Sequence, residues 1–219
     1  MIFPKIHYLC VCLVFQLLVF QSSHAQRLFE GSTKHLKDVE RMYTKGLTWL
    51  ASKQQPNGTF SGGGARDHYG SQPGVVGLAV VSMLAHGDDP NFGKYAKNIT
   101  NGVKFILGQQ NNRTGYIGSS MYNHGFATLA LAEAYGTVLD PQNKIGKGLT
   151  NAVQCILRAQ SVRKSAQYQG GWRYSPESSD SDTTVSGAQF VALLAAVVDR
   201  DAEPGQHRVL SRFDLRVRC

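Results

Sequence analysis

The chain has 219 residues, 42% hydrophobic and 17% charged, enough for one core of ordinary size and unlike a disordered or low-complexity protein. Its formal charge of +8 is scattered along the sequence. It forms no basic helix face interleaved with aromatics, so nucleic acid is not expected as a partner.

The first 25 residues read as a signal peptide. Lys5 and His7 give a short positive start, Tyr8 to Phe20 is apolar except for Gln16, and Ser23-His24-Ala25 supplies small residues where a signal peptidase cuts. Export to a secreted or periplasmic location follows, and no membrane span is expected once this segment is removed. Cys10 and Cys12 would leave with it. The remaining Cys155 and Cys219 are too few and too unlike in context for a disulfide framework. Asn57-Gly-Thr59, Asn98-Ile-Thr100 and Asn112-Arg-Thr114 are glycan acceptors only on a eukaryotic secretory route.

The folded domain is expected over residues 32–198, and its helices alternate in character. Val39, Tyr43, Leu47 and Leu50 recur at helical spacing among Lys, Asp and Glu, which predicts an amphipathic helix. Val75 to His86 is apolar almost all round and predicts a helix buried on every side. The pair recurs: Phe92, Tyr95, Ile99, Val103 and Ile106 make a second amphipathic stripe, followed by an apolar Gly125 to Tyr135. A third apolar helix is expected over Val185 to Val198. Gly87 and Gly136 stand where a helix end needs a left-handed residue.

A repeat runs through these pairs. Lys45-Gly-Leu-Thr-Trp-Leu-Ala-Ser-Lys-Gln54 is followed by Gly58-Thr-Phe60. Asn101-Gly-Val-Lys-Phe-Ile-Leu-Gly-Gln-Gln110 is followed by Gly115-Tyr116, and Asn151-Ala-Val-Gln-Cys-Ile-Leu-Arg-Ala-Gln160 by Gly170-Gly-Trp172. An amphipathic outer helix and an apolar inner one, repeated three times, predict an all-α double layer. A straight solenoid is the alternative to a ring.

The first copy resembles the Gln-Trp motif of squalene and oxidosqualene cyclases: a basic residue, Gly, two free positions, aromatic, aliphatic, three free, Gln, three free, Gly, one free, Trp. Lys45, Gly46, Trp49, Leu50, Gln54 and Gly58 match, and Phe60 stands at the Trp. The second copy has one extra residue before Gly115; the third has Cys155 in the first aromatic slot but keeps Trp172. The likeness covers Lys34 to Val198 and is to the prenyltransferase and squalene-oxidase repeat family, in particular its small secreted bacterial members. It implies an α/α toroid, here a partial ring of about three helical hairpins, in which Gln54, Gln110, Gln160 and the aromatics Phe60, Tyr116 and Trp172 are scaffold.

Asp180-Ser-Asp182-Thr-Thr184 resembles the acidic motif of squalene-hopene cyclases. That likeness makes Asp182 the general acid that protonates an alkene, with Asp180 beside it; Thr183 stands where the family has a third carboxylate. The competing assignment is Asp182 as the cap of the following helix. Protein prenyltransferases hold zinc with Asp, Cys and His, but no Asp precedes Cys155 by two positions, so neither metal nor other cofactor is expected.

If the inner helices run parallel, every outer-to-inner loop falls at one end. That would gather His68, Tyr69, Tyr122, His124, Trp172, Arg173, Tyr174, Asp180 and Asp182 around one mouth as a ligand site. The expected function is a terpenoid-cyclase-like repeat domain without intact cyclase activity, acting in binding or assembly on a hydrophobic isoprenoid or a protein partner. The enzymatic alternative is a terpene cyclase/mutase-like or prenyltransferase-like activity. Residues 199–219 change character, with five Arg and no Lys from Arg200 onward, and read as an atypical basic tail outside the fold: a frameshift, a truncation or native. Three hairpins would leave the ring open and its edge prone to self-association.

Overall fold

The computed structural model describes residues 35–60 and 67–198. The expected signal peptide (1–25) and basic tail (199–219) lie outside the described residues. The described residues are helical and contain no strand, only one isolated bridge between Gln110 and Ile117. The chain forms two compact units, the first ending at Trp49 and the second beginning at Leu50.

Helix α1 is described over residues 35–53, and its part in the first unit is amphipathic as its spacing predicts. Thr44 Oγ donates to Glu40 and Arg41 pairs with Asp38 along one side. Val39, Met42, Tyr43, Gly46 and Leu47 line an apolar groove on the other.

The second unit continues with a 3-10 turn, Asp67–Ser71, and five helices: α2 (Pro73–Leu84), α3 (Ala96–Gly108), α4 (Met121–Ala134), α5 (Lys144–Ser161) and α6 (Thr183–Val198). Three of them start where the chain supplies a local reason. Pro73 opens α2 with its φ already helical and no N–H to satisfy. Ser120 Oγ accepts from the Asn123 N–H at the head of α4. The Asp140 carboxylate takes the Lys144 and Ile145 N–H groups, both at 2.7 Å, at the head of α5. Gly87 (φ 90°) and Gly136 (φ 79°) follow α2 and α4 in the left-handed region, as expected.

Helices α2, α4 and α6 form one layer, with α4 in the middle, and α3 and α5 pack against them from one side. The three inner helices run parallel and in register. A Cβ on Gly77, the fifth residue of α2, would meet the Phe126 carbonyl oxygen at 2.5 Å, and one on Gly125, the fifth of α4, would meet Ala188 at 3.1 Å. Phe126 and Ala188 are the sixth residues of their own helices, so one lateral step is repeated. Between the layers sit Val76, Val80, Ile106, Leu131, Leu149, Val153 and Ile156, all at most 1% exposed and none polar. Burying each contributes roughly 1.5–3 kcal/mol.

Two of the three repeat glutamines, Gln54 and Gln110, clamp onto the next outer helix. Gln54 Nε2 donates to Gly58 O (3.2 Å) and to Asn98 O on α3 (3.0 Å). Gln110 Nε2 repeats this on Gly115 O (3.0 Å) and Gly148 O of α5 (2.9 Å), and Gln160 Nε2 reaches Gly170 O (3.0 Å). The bonds that cross to the next outer helix run to carbonyls within it, not to its free N–H groups. The glycine is required by backbone as well as by space: Gly115 sits at φ 74°, and a Cβ there would run into the Asn151 carbonyl. Asn98 belongs to the same clamp. Its Nδ2 donates to Gln54 Oε1 (2.9 Å) and Ala51 O (3.2 Å), so the side-chain nitrogen of that sequon is occupied.

Two element expectations need correction. Phe92 lies outside α3 and is 82% exposed, because the Asp89 carboxylate takes the Asn91 and Phe92 N–H groups and holds a turn there. Helix α4 begins at Met121, four residues before Gly125, because Ser120 caps it and the polar Asn123 and His124 find partners on neighbouring helices.

Candidate functional site

Because the inner helices are parallel, their N-terminal ends meet. Asn123 Oδ1 accepts from the Gly74 N–H (3.1 Å), and its Nδ2 donates to Gln72 Oε1 (2.7 Å), tying the head of α4 to that of α2. Tyr122 Oη lies in hydrogen-bond contact with Thr184 Oγ at the head of α6. The Met121 N–H donates to Tyr174 O (2.9 Å), which brings the loop before α6 onto the same end.

An aromatic and charged cluster results. The Tyr122 ring stacks on Phe126 at 6.4 Å and tilts against Tyr174 at 6.0 Å. The Arg173 guanidinium lies 4.9 Å from the Tyr174 ring centre and pairs with Asp180 at 3.3 Å. His68 and Tyr69, in the 3-10 turn leading into α2, are exposed and pack ring to ring at 4.1 Å.

Asp182 caps α6. Its Oδ1 accepts from the N–H groups of Thr184 and Val185, both at 2.9 Å, and from Thr184 Oγ at 2.6 Å. The Thr184 hydroxyl first, then the Val185 N–H, holds its carboxyl below the ordinary carboxylate range. Asp180 and Asp182 are thus engaged separately, one on Arg173 and one on the helix.

Trp172 and His124 face inward. Trp172 is 6% exposed, with Nε1 donating to Ile156 O (2.8 Å). His124 is fully buried in the first turn of α4. Its Nδ1 accepts from the Ile117 N–H (3.1 Å), so Nε2 carries the proton and donates to Ala152 O (3.1 Å). Burial pulls its pKa down to about 4, so the ring is neutral at physiological pH. Both nitrogens are committed to the fold, and neither reaches the cluster of Tyr122, Arg173 and Tyr174.

Beside His124, the half-buried Tyr116 hydroxyl is pushed up to about 12, chiefly by burial, and the buried Cys155 thiol is raised for the same reason. Among the described residues no three His, Cys, Asp or Glu side chains gather as a metal set, and no helix is long and apolar enough to cross a membrane.

Sequence reasoning passed over Asn123, Gln72 and Gln189, which cross-link the inner layer. Gln189 is wholly buried and donates to Met121 O (2.7 Å), joining α6 to α4. The available signal was a lone amide in an otherwise apolar helix, which must find a partner when buried.

Compared with family models, curated proteins and solved structures, the chain matches none.

Proposed function

We propose that this protein is an exported repeat domain of the prenyltransferase and squalene-oxidase type, an open α/α toroid that acts in binding or assembly and not in cyclisation. The resemblance of the three Gln-containing copies supports the family, and the repeated lateral step between inner helices suits a curved double layer. The observation that carries the functional reading is the state of Asp182. Protonating an alkene needs a carboxylic acid with its proton poised at the substrate. Asp182 instead spends its carboxylate on the first turn of α6, with three donors stabilising the ionised form. Asp180 is paired with the Arg173 guanidinium instead.

The test is direct. Purified protein incubated with squalene or a linear polyprenol should yield no cyclised product, and Asp182→Ala should lower Tm while Asp182→Asn, also a good cap, should change it little. Cyclised product from the wild type that disappears in Asp182→Asn would establish the isoprenoid-processing enzyme instead.

A further inference from the structure

Among the described residues the inner layer ends on both sides in surfaces that, between its own helices, are interfaces. Position by position, the fifth residue of each inner helix is glycine: Gly77, Gly125 and Gly187. The first two are covered by the sixth residue of the next inner helix, Phe126 and Ala188. Gly187 has nothing within 4 Å among the described residues. Around it Phe190, Val191 and Leu194 are 50%, 44% and 47% exposed, whereas Val80 and Thr128, which occupy the Phe190 position in α2 and α4, are 1% and 0% exposed.

The opposite edge is complementary. Leu78 is the sixth residue of α2 and Val75 the third, the positions that Ala188 and Val185 fill in α6. Ala188 and Val185 are 4% and 0% exposed against α4; Leu78 and Val75 are 46% and 41% exposed, with no inner helix before them among the described residues. The outer layer carries the same asymmetry. Gln54 and Gln110 each reach a carbonyl on the next outer helix, but Gln160, among the described residues, reaches only Gly170 O.

We propose that two copies of this chain join head to tail, α2 of one copy seating Leu78 on Gly187 of the other and continuing the step that α2 makes on α4 and α4 on α6. This rests on the assembly reading and names its partner as a second copy. The join uses different patches on the two copies, so each copy keeps an edge for another, and the assembly ends only where the rotation of the repeated step closes a ring.

The experiment uses the full chain. Sedimentation velocity over a hundredfold concentration range should show the wild type growing past one copy. Leu78→Asp and Leu194→Asp, which block opposite edges, should each remain monomeric with unchanged helical circular dichroism. Mixed one to one, they should form a dimer and stop there, because each mutant keeps the edge the other has lost. If either fails to fold, Val75→Lys and Val191→Lys replace it. A monomeric wild type at every concentration, as when residues 199–219 cover the edge, overturns the proposal. So does a mixture that stays monomeric, or either single mutant that still associates. Cyclised squalene would overturn the non-catalytic reading while leaving this outcome unaffected, so the two failures are separable.

Discussion

Lowering the pH from 7.5 to 5.0 should weaken the fold through one residue, His124. The imidazole is fully buried and neutral, accepting from Ile117 and donating to Ala152. Protonation would place a second N–H against the Ile117 N–H and a charge in a fully buried site. The folded pKa of about 4 lies below the ordinary 6.5, so the unfolded chain binds the proton more readily. Stability from this residue is therefore complete above pH 6.5 and is lost as pH falls toward 4. The full gap is worth about 3 kcal/mol, of which about 2 kcal/mol is gone at pH 5.0. The cap carboxylate of Asp182 does not confuse the measurement: its depressed pKa places its loss at lower pH. Urea unfolding at the two pH values reads the difference, with His124→Gln as the control. The variant should lose about 1–3 kcal/mol at pH 7.5 from its broken bonds, yet show little of the pH slope. Equal wild-type stability at pH 7.5 and 5.0, or a variant that keeps the slope, would refute the buried neutral imidazole.

Two further outcomes are expected. Gln54→Leu and Gln110→Leu should each cost about 1–3 kcal/mol in denaturant unfolding, because carbonyls on two segments lose a donor at once; Gln160→Leu, with one bond to lose, should cost less, and equal losses at all three would contradict the clamp geometry. The Cys155 peptide, mapped by mass after treatment with iodoacetamide, should stay unlabelled in the native protein and label on unfolding, since the thiol is 3% exposed and its pKa is raised by burial.

The layered helical fold was legible because its marks are local. A glutamine near the end of an outer helix, with a glycine shortly after, survives in all three copies, and an apolar helix with no polar face has few places to go. Helix ends were less legible. Met121-Tyr-Asn-His124 reads as polar loop until Gln72, Ala152 and Ile117 are seen to receive its side chains, and those partners are distant in sequence. The candidate mouth was legible only as a location. Parallel inner helices bring Tyr122, Tyr174, Arg173 and Asp182 to one end, but periodicity does not say which side of a helix a first-turn residue faces. His124 and Trp172 turned inward for that reason. Phe92 fell out of its helix because one carboxylate, Asp89, outweighed the hydrophobic spacing.

The glutamine clamp also tells where this chain can grow. Each amide fastens a glycine carbonyl, and between them lie three residues in the first copy, four in the second and nine in the third. The bond is the same across all three spans, so the connecting segment bears none of the geometry; it only has to return to the glycine. Doubling such a segment costs only about 0.6 kcal/mol in closure entropy. Insertions placed there would add new loops beyond the ends of the outer helices, one per hairpin, while the helices beneath keep their spacing.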